Sequence, residues 1–260
     1  IWLVSFGTMF SALWILGANS WMQHPVGAEM IDGRPRMTDI GAVLMNPTAW
    51  VTFPHVITAS IQVAGGFLVG IAWYKLWRRR KDGIDKVVDG KVVVGESDKG
   101  ARDKKDFQVW LKSLRLGAVV GLLAFAGVGA SGHLQAQMMI HEQPMKMAAA
   151  EGICMDTDGA AFTVAQFGSC PLGDDGAQPT QFIKVPGVAS FMSHNSFTAT
   201  SEGVADVQER MVELLNSDAN FTAKYGDASQ YDFRPPQMVA FWSFRFMIGL
   251  GMLAFLLAAW

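Results

Sequence analysis

His55, in Phe53-Pro54-His55, and Met247, in Phe244-Arg245-Phe246-Met247, are the side chains in this sequence whose types and surroundings could do chemistry, because each stands inside a long apolar run. An ionisable residue in such a run is expensive to bury and is a functional candidate for that reason. Imidazole and thioether together form an axial pair for a haem iron, with the thioether raising the reduction potential. Two plainer alternatives stay open on these residues alone. A buried imidazole can simply hydrogen-bond a neighbouring carbonyl, and 15 Met in 260 residues make a coincidence of position easy. Arg245 is the single charge of its run, with a snorkelling or structural role as its ordinary reading. Residues two apart on a helix point about 200° from each other, so Arg245 and Met247 do not address one ligand from one face.

The elements that must position these residues follow from composition. Half of the residues are hydrophobic and only 17% are charged, with nine Trp, more apolar than an ordinary soluble domain. The apolar residues concentrate in four nearly charge-free stretches, 1–22, 50–77, 109–131 and 237–260. Each is long enough, at about 1.5 Å per helical residue, to cross a hydrocarbon core of roughly 30 Å. A backbone in lipid finds no water to bond, so such spans must be helical. The expected fold is an all-α integral membrane protein of four transmembrane helices, with connections at 23–49, 78–108 and 132–236. The chain starts without Met inside one apolar stretch and ends inside another, the pattern of an internal piece of a longer chain. A cleaved signal peptide is disfavoured for the first stretch, which has neither a basic start nor a small-residue cleavage site.

Sidedness follows from charge. Arg78-Arg79-Arg80-Lys81 and the mixed Lys and Asp run to Asp106 assign the 78–108 connection to the cytoplasm, since short Lys/Arg-rich loops stay inside. The 23–49 and 132–236 connections are then extracytoplasmic. The latter carries thirteen acidic residues against five basic ones. His55 and Met247 thus lie about six and about ten residues into helices that both start from the outside, at comparable depths. Charges of both signs are interspersed in the cytoplasmic run, the pattern of a solvated loop rather than a nucleic-acid partner.

Cys154 and Cys170 both fall in the long outer connection, where an oxidising compartment permits a disulfide between them. No histidine lies near enough in sequence to suggest zinc. Phosphate loops, Ser/His/Asp arrangements and internal repeats are missing, so soluble-enzyme chemistry gains no support. Gly65-Gly66, Gly249 and Gly251 are read as close-packing points between helices. The spacing of Val204, Val207, Met211, Leu214 and Leu215 predicts a helix over 201–215.

Four ordered blocks resemble the large subunit of cytochrome bd quinol oxidases. SALWILGANSWMQHP from Ser11 to Pro25 is similar to that family's pattern S-A-L-W-I-L-x-A-N-x-W-M-Q-x-P on its fourth membrane helix. LMNP from Leu44 with Phe53-Pro54-His55 resembles the start of its fifth helix. QPMKMAAAE from Gln143 to Glu151 resembles the beginning of its quinol-binding loop, and Phe244-Arg245-Phe246-Met247 its methionine-bearing helix.

That resemblance implies a role for each matched position. His55 and Met247 are the expected axial ligands of a low-spin haem b, and Arg245 supports that haem through its propionates or its reduced form. Lys146 and Glu151 are the expected quinol-oxidation residues. A quinol losing two electrons also loses two protons, so a carboxylate can serve as general base while a cation steadies developing negative charge. Five positions apart on a regular helix they diverge by about 140°, so meeting at one ligand requires a bend or a shared cleft. Ser11 and Asn19 share a helix face and belong to a polar path toward the oxygen-reducing haems, or else bond their own helix. His133 and His141, just before the loop motif, are weaker candidates for a proton path. The resemblance further implies a second haem b and haem d elsewhere in the complex, a membrane quinol as substrate, smaller partner subunits, reduction of oxygen to water and a bacterial cytoplasmic membrane location. Protons would be released outside and consumed from inside, building a proton-motive force. A transporter or channel element, with His55 and Arg245 lining a translocation path, is the competing expectation.

Overall fold

The computed structural model describes residues 1–31, 34–95, 101–172 and 176–260, leaving aside the side chains of 101–103. Residues 32–33, 96–100 and 173–175 of the three expected connections lie outside the described residues. In chain order the elements are α1 (Trp2–Gln23), the hairpin β1 (Ala28–Ile31) and β2 (Arg34–Met37), α2 (Ile40–Leu44), α3 (Pro47–Lys81), and the hairpin β3 (Lys86–Val88) and β4 (Lys91–Val93). After these come α4 (Ala101–Glu142), α5 (Pro144–Glu151), β5 (Thr157–Asp158), β6 (Phe162–Phe167), β7 (Thr180–Val185), α6 (Val188–His194), β8 (Thr200–Ser201), α7 (Val204–Ser217), α8 (Ala219–Tyr225) and α9 (Gln237–Ala259). The architecture is mainly helical. Four helices, α1, α3, α4 and α9, are long and apolar enough to cross a membrane, with mean hydropathies of 1.3 to 1.8. The helices α3 and α4 outlast the expected spans at both ends, most of all at 78–81, 101–108 and 132–142, where mostly helix-forming residues carry on into the connections.

The chain divides into two compact units, residues 1–53 with 131–249, and residues 54–130 with 250–260. In the second unit, a side chain added at Gly65 of α3 would come within 2.9 Å of the Gly121 nitrogen and 3.0 Å of the Gly117 oxygen on α4. Only glycine permits that backbone approach. The expectation for the other glycines is corrected, since Gly66, Gly249 and Gly251 face open space, while the partners Gly117 and Gly121 were not singled out by sequence. Pro54, inside α3, has no N–H to give the carbonyl one turn back, which loosens the helix ladder just before His55. The basic end of α3 suits a helix C-terminus, and Arg79 folds back onto Asp85 with bonds of 2.9 and 3.1 Å.

In the first unit, α1 ends against the junction of α4 and α5. His24 pairs with Glu142, and Gln143 donates to the Gln23 carbonyl at 3.1 Å. Asn46 is fully buried. It donates to the His24 carbonyl at 2.9 Å and accepts from the Thr48 N–H at 2.9 Å, capping α3. The 132–236 connection is a folded layer of short helices and two antiparallel strand pairs, β6 with β7 and β5 with β8. Met145, Ala148, Ala149, Cys170, Val204 and Val207 form its core, with Met211 packed alongside. The predicted 201–215 helix is α7, although Leu214 of its stripe points outward, 70% exposed.

Cys154 and Cys170 form a disulfide across a sequence separation of 16. Exchanging both for serine is expected to destabilise this layer by about 3 kcal/mol in the chain-entropy account. Faster limited proteolysis within 152–172 would register the change, and unaltered proteolysis would contradict it.

Candidate functional site

Helix α5 begins at Pro144, a residue suited to the first turn, and ends where Gly152 takes the left-handed conformation at φ 73°. A side chain at that position would stand 2.3 Å from Oε1 of Gln166, so only glycine both turns the chain and fits. This turn leaves Glu151, the last residue of α5, aimed inward and 2% exposed.

Arg245 meets it there. The guanidinium, on a residue 7% exposed, donates from Nη2 to Oε2 of Glu151 at 3.2 Å and to the Glu151 carbonyl at 3.2 Å. Nη1 donates to the Ala150 carbonyl at 3.3 Å and Nε to the Thr163 carbonyl at 2.6 Å. Its plane lies 4.1 Å from the Phe162 ring centre and 4.5 Å from that of Phe241. Aromatic faces favour a desolvated cation, so this cage makes a buried guanidinium tolerable. Burial pushes the Glu151 carboxyl above the usual carboxylate range, and the charge and hydrogen bond of Arg245 pull the other way. Oε1 of Glu151 has no protein hydrogen-bond partner among the described residues. The carboxylate is held by one oxygen and presents the other.

Arg245→Leu is expected to destabilise this region by about 3–5 kcal/mol, because it leaves Glu151 buried without its counter-charge. Arg245→Leu combined with Glu151→Leu should be the more stable of the two variants in thermal denaturation. The reverse order would show that the pair is not a buried ion pair.

The other expected residues are placed differently. Lys146 lies on the exposed face of α5, so the helix stays regular and does not bring it to Glu151. His55 is half-buried in the second unit, within hydrogen-bond reach of the Val128 backbone. Met247 belongs to the first unit and is 53% exposed. Arg245 and Met247 diverge on α9 as their spacing requires, one enclosed and the other open. Ser11 and Asn19 are both exposed on α1, and Asn19 accepts from Gln23 Nε2 at 2.6 Å. His133 lies 2.7 Å from Asn195 Oδ1 and 2.9 Å from Gln137 Nε2, with its ring stacked on Phe191. His141 is exposed. Sequence reasoning missed the Glu151–Arg245 pair. Its signal was available, since a lone arginine in an apolar helix needs an acidic partner.

Imidazole and thioether are residue types that a haem iron takes as ligands. A metal-ligating imidazole characteristically gives its second ring nitrogen to a backbone carbonyl or carboxylate, and the contact of His55 with the Val128 backbone is of that kind. Met247 presents a soft thioether on a residue 53% exposed.

Four membrane-length helices, and a folded connection whose Glu151 is paired with Arg245 of one of them, define an integral membrane protein with its buried charged pair where connection and span meet. The chain belongs to the family described as cytochrome bd terminal oxidase subunit I, whose family profile matches residues 1–260. It is 36% identical over 259 residues to cytochrome bd ubiquinol oxidase subunit 1 of Bacillus subtilis, covering 99% of this chain and 46% of that protein. To cytochrome bd-II ubiquinol oxidase subunit 1 of Escherichia coli it is 29% identical, covering 97% of this chain and 44% of that protein. The chain therefore spans about half the length of these relatives. The structure of bd oxidase from Geobacillus thermodenitrificans shares the fold, with a TM-score of 0.58, 21% identity, and coverage of 99% of this chain and 56% of that one.

Proposed function

We propose that this chain is the part of a respiratory quinol:oxygen oxidoreductase through which electrons come in. It oxidises a membrane quinol at the extracytoplasmic 132–236 connection and passes the electrons to a low-spin haem b held by His55 and Met247. Oxygen is reduced to water at a further haem b and a haem d held by other parts of the subunit, and smaller subunits complete the complex in the bacterial cytoplasmic membrane. The 78–108 connection is cytoplasmic.

The observation that carries this reading is the carboxylate of Glu151, buried, anchored through one oxygen by Arg245 and without a protein partner among the described residues at the other. A base that takes a proton from a hydroquinone needs that combination of fixed direction and free lone pairs. The haem, when bound, supplies a one-electron acceptor whose potential the Met247 thioether raises. Arg245 acts in two directions from one helix. It orients Glu151, and its charge in a low-dielectric setting, two residues from Met247, favours the added electron. Lys146 keeps a cationic part from the exposed face of α5, where it can meet a ligand at the loop surface without sharing a contact point with Glu151. An enclosed Arg245 offers no free charge to a translocation path, which removes the main support for a transporter. The reading is tested by quinol oxidation in Glu151→Gln within the assembled oxidase. Loss of turnover with haem retained supports it, and full turnover overturns it.

A further inference from the structure

A second ionisable side chain lines the same small cavity as Glu151. A small cavity in the first unit, about 20 Å³ and so with room for about one water, is lined by Glu151 from α5, by Ser193 and His194 from α6, and by Ser201 and Glu202 at β8. Two buried side-chain atoms on this lining have no protein hydrogen-bond partner among the described residues, Oε1 of Glu151 and Nε2 of His194. Unpaired buried polar atoms are uncommon, and each needs a reason. Two on one cavity wall suggest a shared one.

The remainder of the His194 residue is only half-buried, so its ring bridges the cavity and the loop surface. Imidazole can accept a proton at one nitrogen and release one from the other, near neutral pH. The charges around it are accounted for. Arg245 of α9 is committed to Glu151, and Glu202 is paired with Arg210 of α7 at 2.8 Å. His133 of α4 contacts Phe191 and Asn195 of the same segment rather than the cavity.

We infer that His194 takes the quinol's protons from Glu151 across this cavity and delivers them to the extracytoplasmic surface. The inference rests on Glu151 being the quinol's base. For each quinol two O–H bonds break and two electrons leave, and the haem of the proposed function would be their acceptor. Each proton moves from a quinol oxygen to Oε1 of Glu151, then through a cavity water to Nε2 of His194, and out. The quinone remains, and the relay operates twice per turnover. His194 does not touch the substrate and acts through Glu151.

The test uses the complete oxidase complex. His194→Gln is expected to lower kcat for quinol oxidation about ten-fold, with KM and the reduced-haem spectrum unchanged and the rate–pH profile altered. Free imidazole should restore part of the rate in His194→Ala. An unchanged kcat and profile in His194→Gln overturns the relay, as does loss of haem together with turnover, which makes His194 structural. Glu151→Gln run in parallel separates the two failures. If it alone is slow, the base assignment stands and the relay falls; if neither variant is slow, the base assignment falls too.

Discussion

Quinol turnover is expected to fall by about two to four orders of magnitude in Glu151→Gln, with haem content and quinol affinity near those of the unmodified protein. Glutamine matches glutamate in shape and can still accept from Arg245 through its amide oxygen, so the 3.2 Å contact survives as a neutral–charged bond. What it cannot do is take a proton. Arg245 remains satisfied in part by the carbonyls of Ala150, Glu151 and Thr163, so the cage around it should persist. The same variant has a thermodynamic signature. Burial raises the Glu151 carboxyl above its ordinary range, so above that range the native chain binds more protons than the unfolded one. The stability owed to protonated Glu151 is complete below the ordinary carboxyl range and is lost as pH rises through the raised value. Glu151→Gln should therefore flatten the fall in melting temperature over that window. Steady-state quinol oxidation and melting curves at several pH values measure both effects, and full turnover in the variant removes the general-base role.

Absorbance of the reduced low-spin haem b is expected to disappear in His55→Ala, and turnover with it. His55 would hold the haem through its imidazole, and the ring's contact with Val128 would orient it, so the alanine variant would lose ligand and orientation together. Met247→Leu is the informative contrast. Without the Met247 thioether a haem would still have His55 to hold it, at a lowered potential. Reduced-minus-oxidised spectra of the purified variants distinguish these outcomes, and an unaltered spectrum in His55→Ala would exclude this histidine as a ligand.

The four helices were legible because lipid leaves a backbone one way to satisfy itself, and the spans need no partner to be recognised. The disulfide was legible for a similar reason, two thiols having a single pairing. Contacts between distant segments were not. Arg245 stands 94 residues from Glu151, and helical periodicity around either position carries no information about the other. The β6–β7 hairpin that supplies the Thr163 carbonyl and the Phe162 ring to Arg245 is likewise invisible in a loop read by composition. His194 was hidden for a different reason. Its enclosure depends on the cavity between α5, α6 and β8, and nothing in its neighbours Ser193 and Asn195 distinguishes it from a surface histidine.

The link between Cys154 and Cys170 continues past the sulfur atoms. The Cys170 N–H donates to Gln237 Oε1 at 2.7 Å, Gln237 Nε2 donates to the Cys170 sulfur at 3.0 Å, and Arg234 Nη1 donates to the Cys170 carbonyl at 2.6 Å. Cys154 follows Glu151 by three positions, and Gln237 opens the helix that carries Arg245. A covalent staple and a clasp of hydrogen bonds therefore tie the two halves of the ion pair into one short circuit of chain. The conformational entropy of arranging them is lost once, when the disulfide closes, and not again with each ligand that binds. A site preorganised this way keeps its order only for as long as that covalent link stays closed.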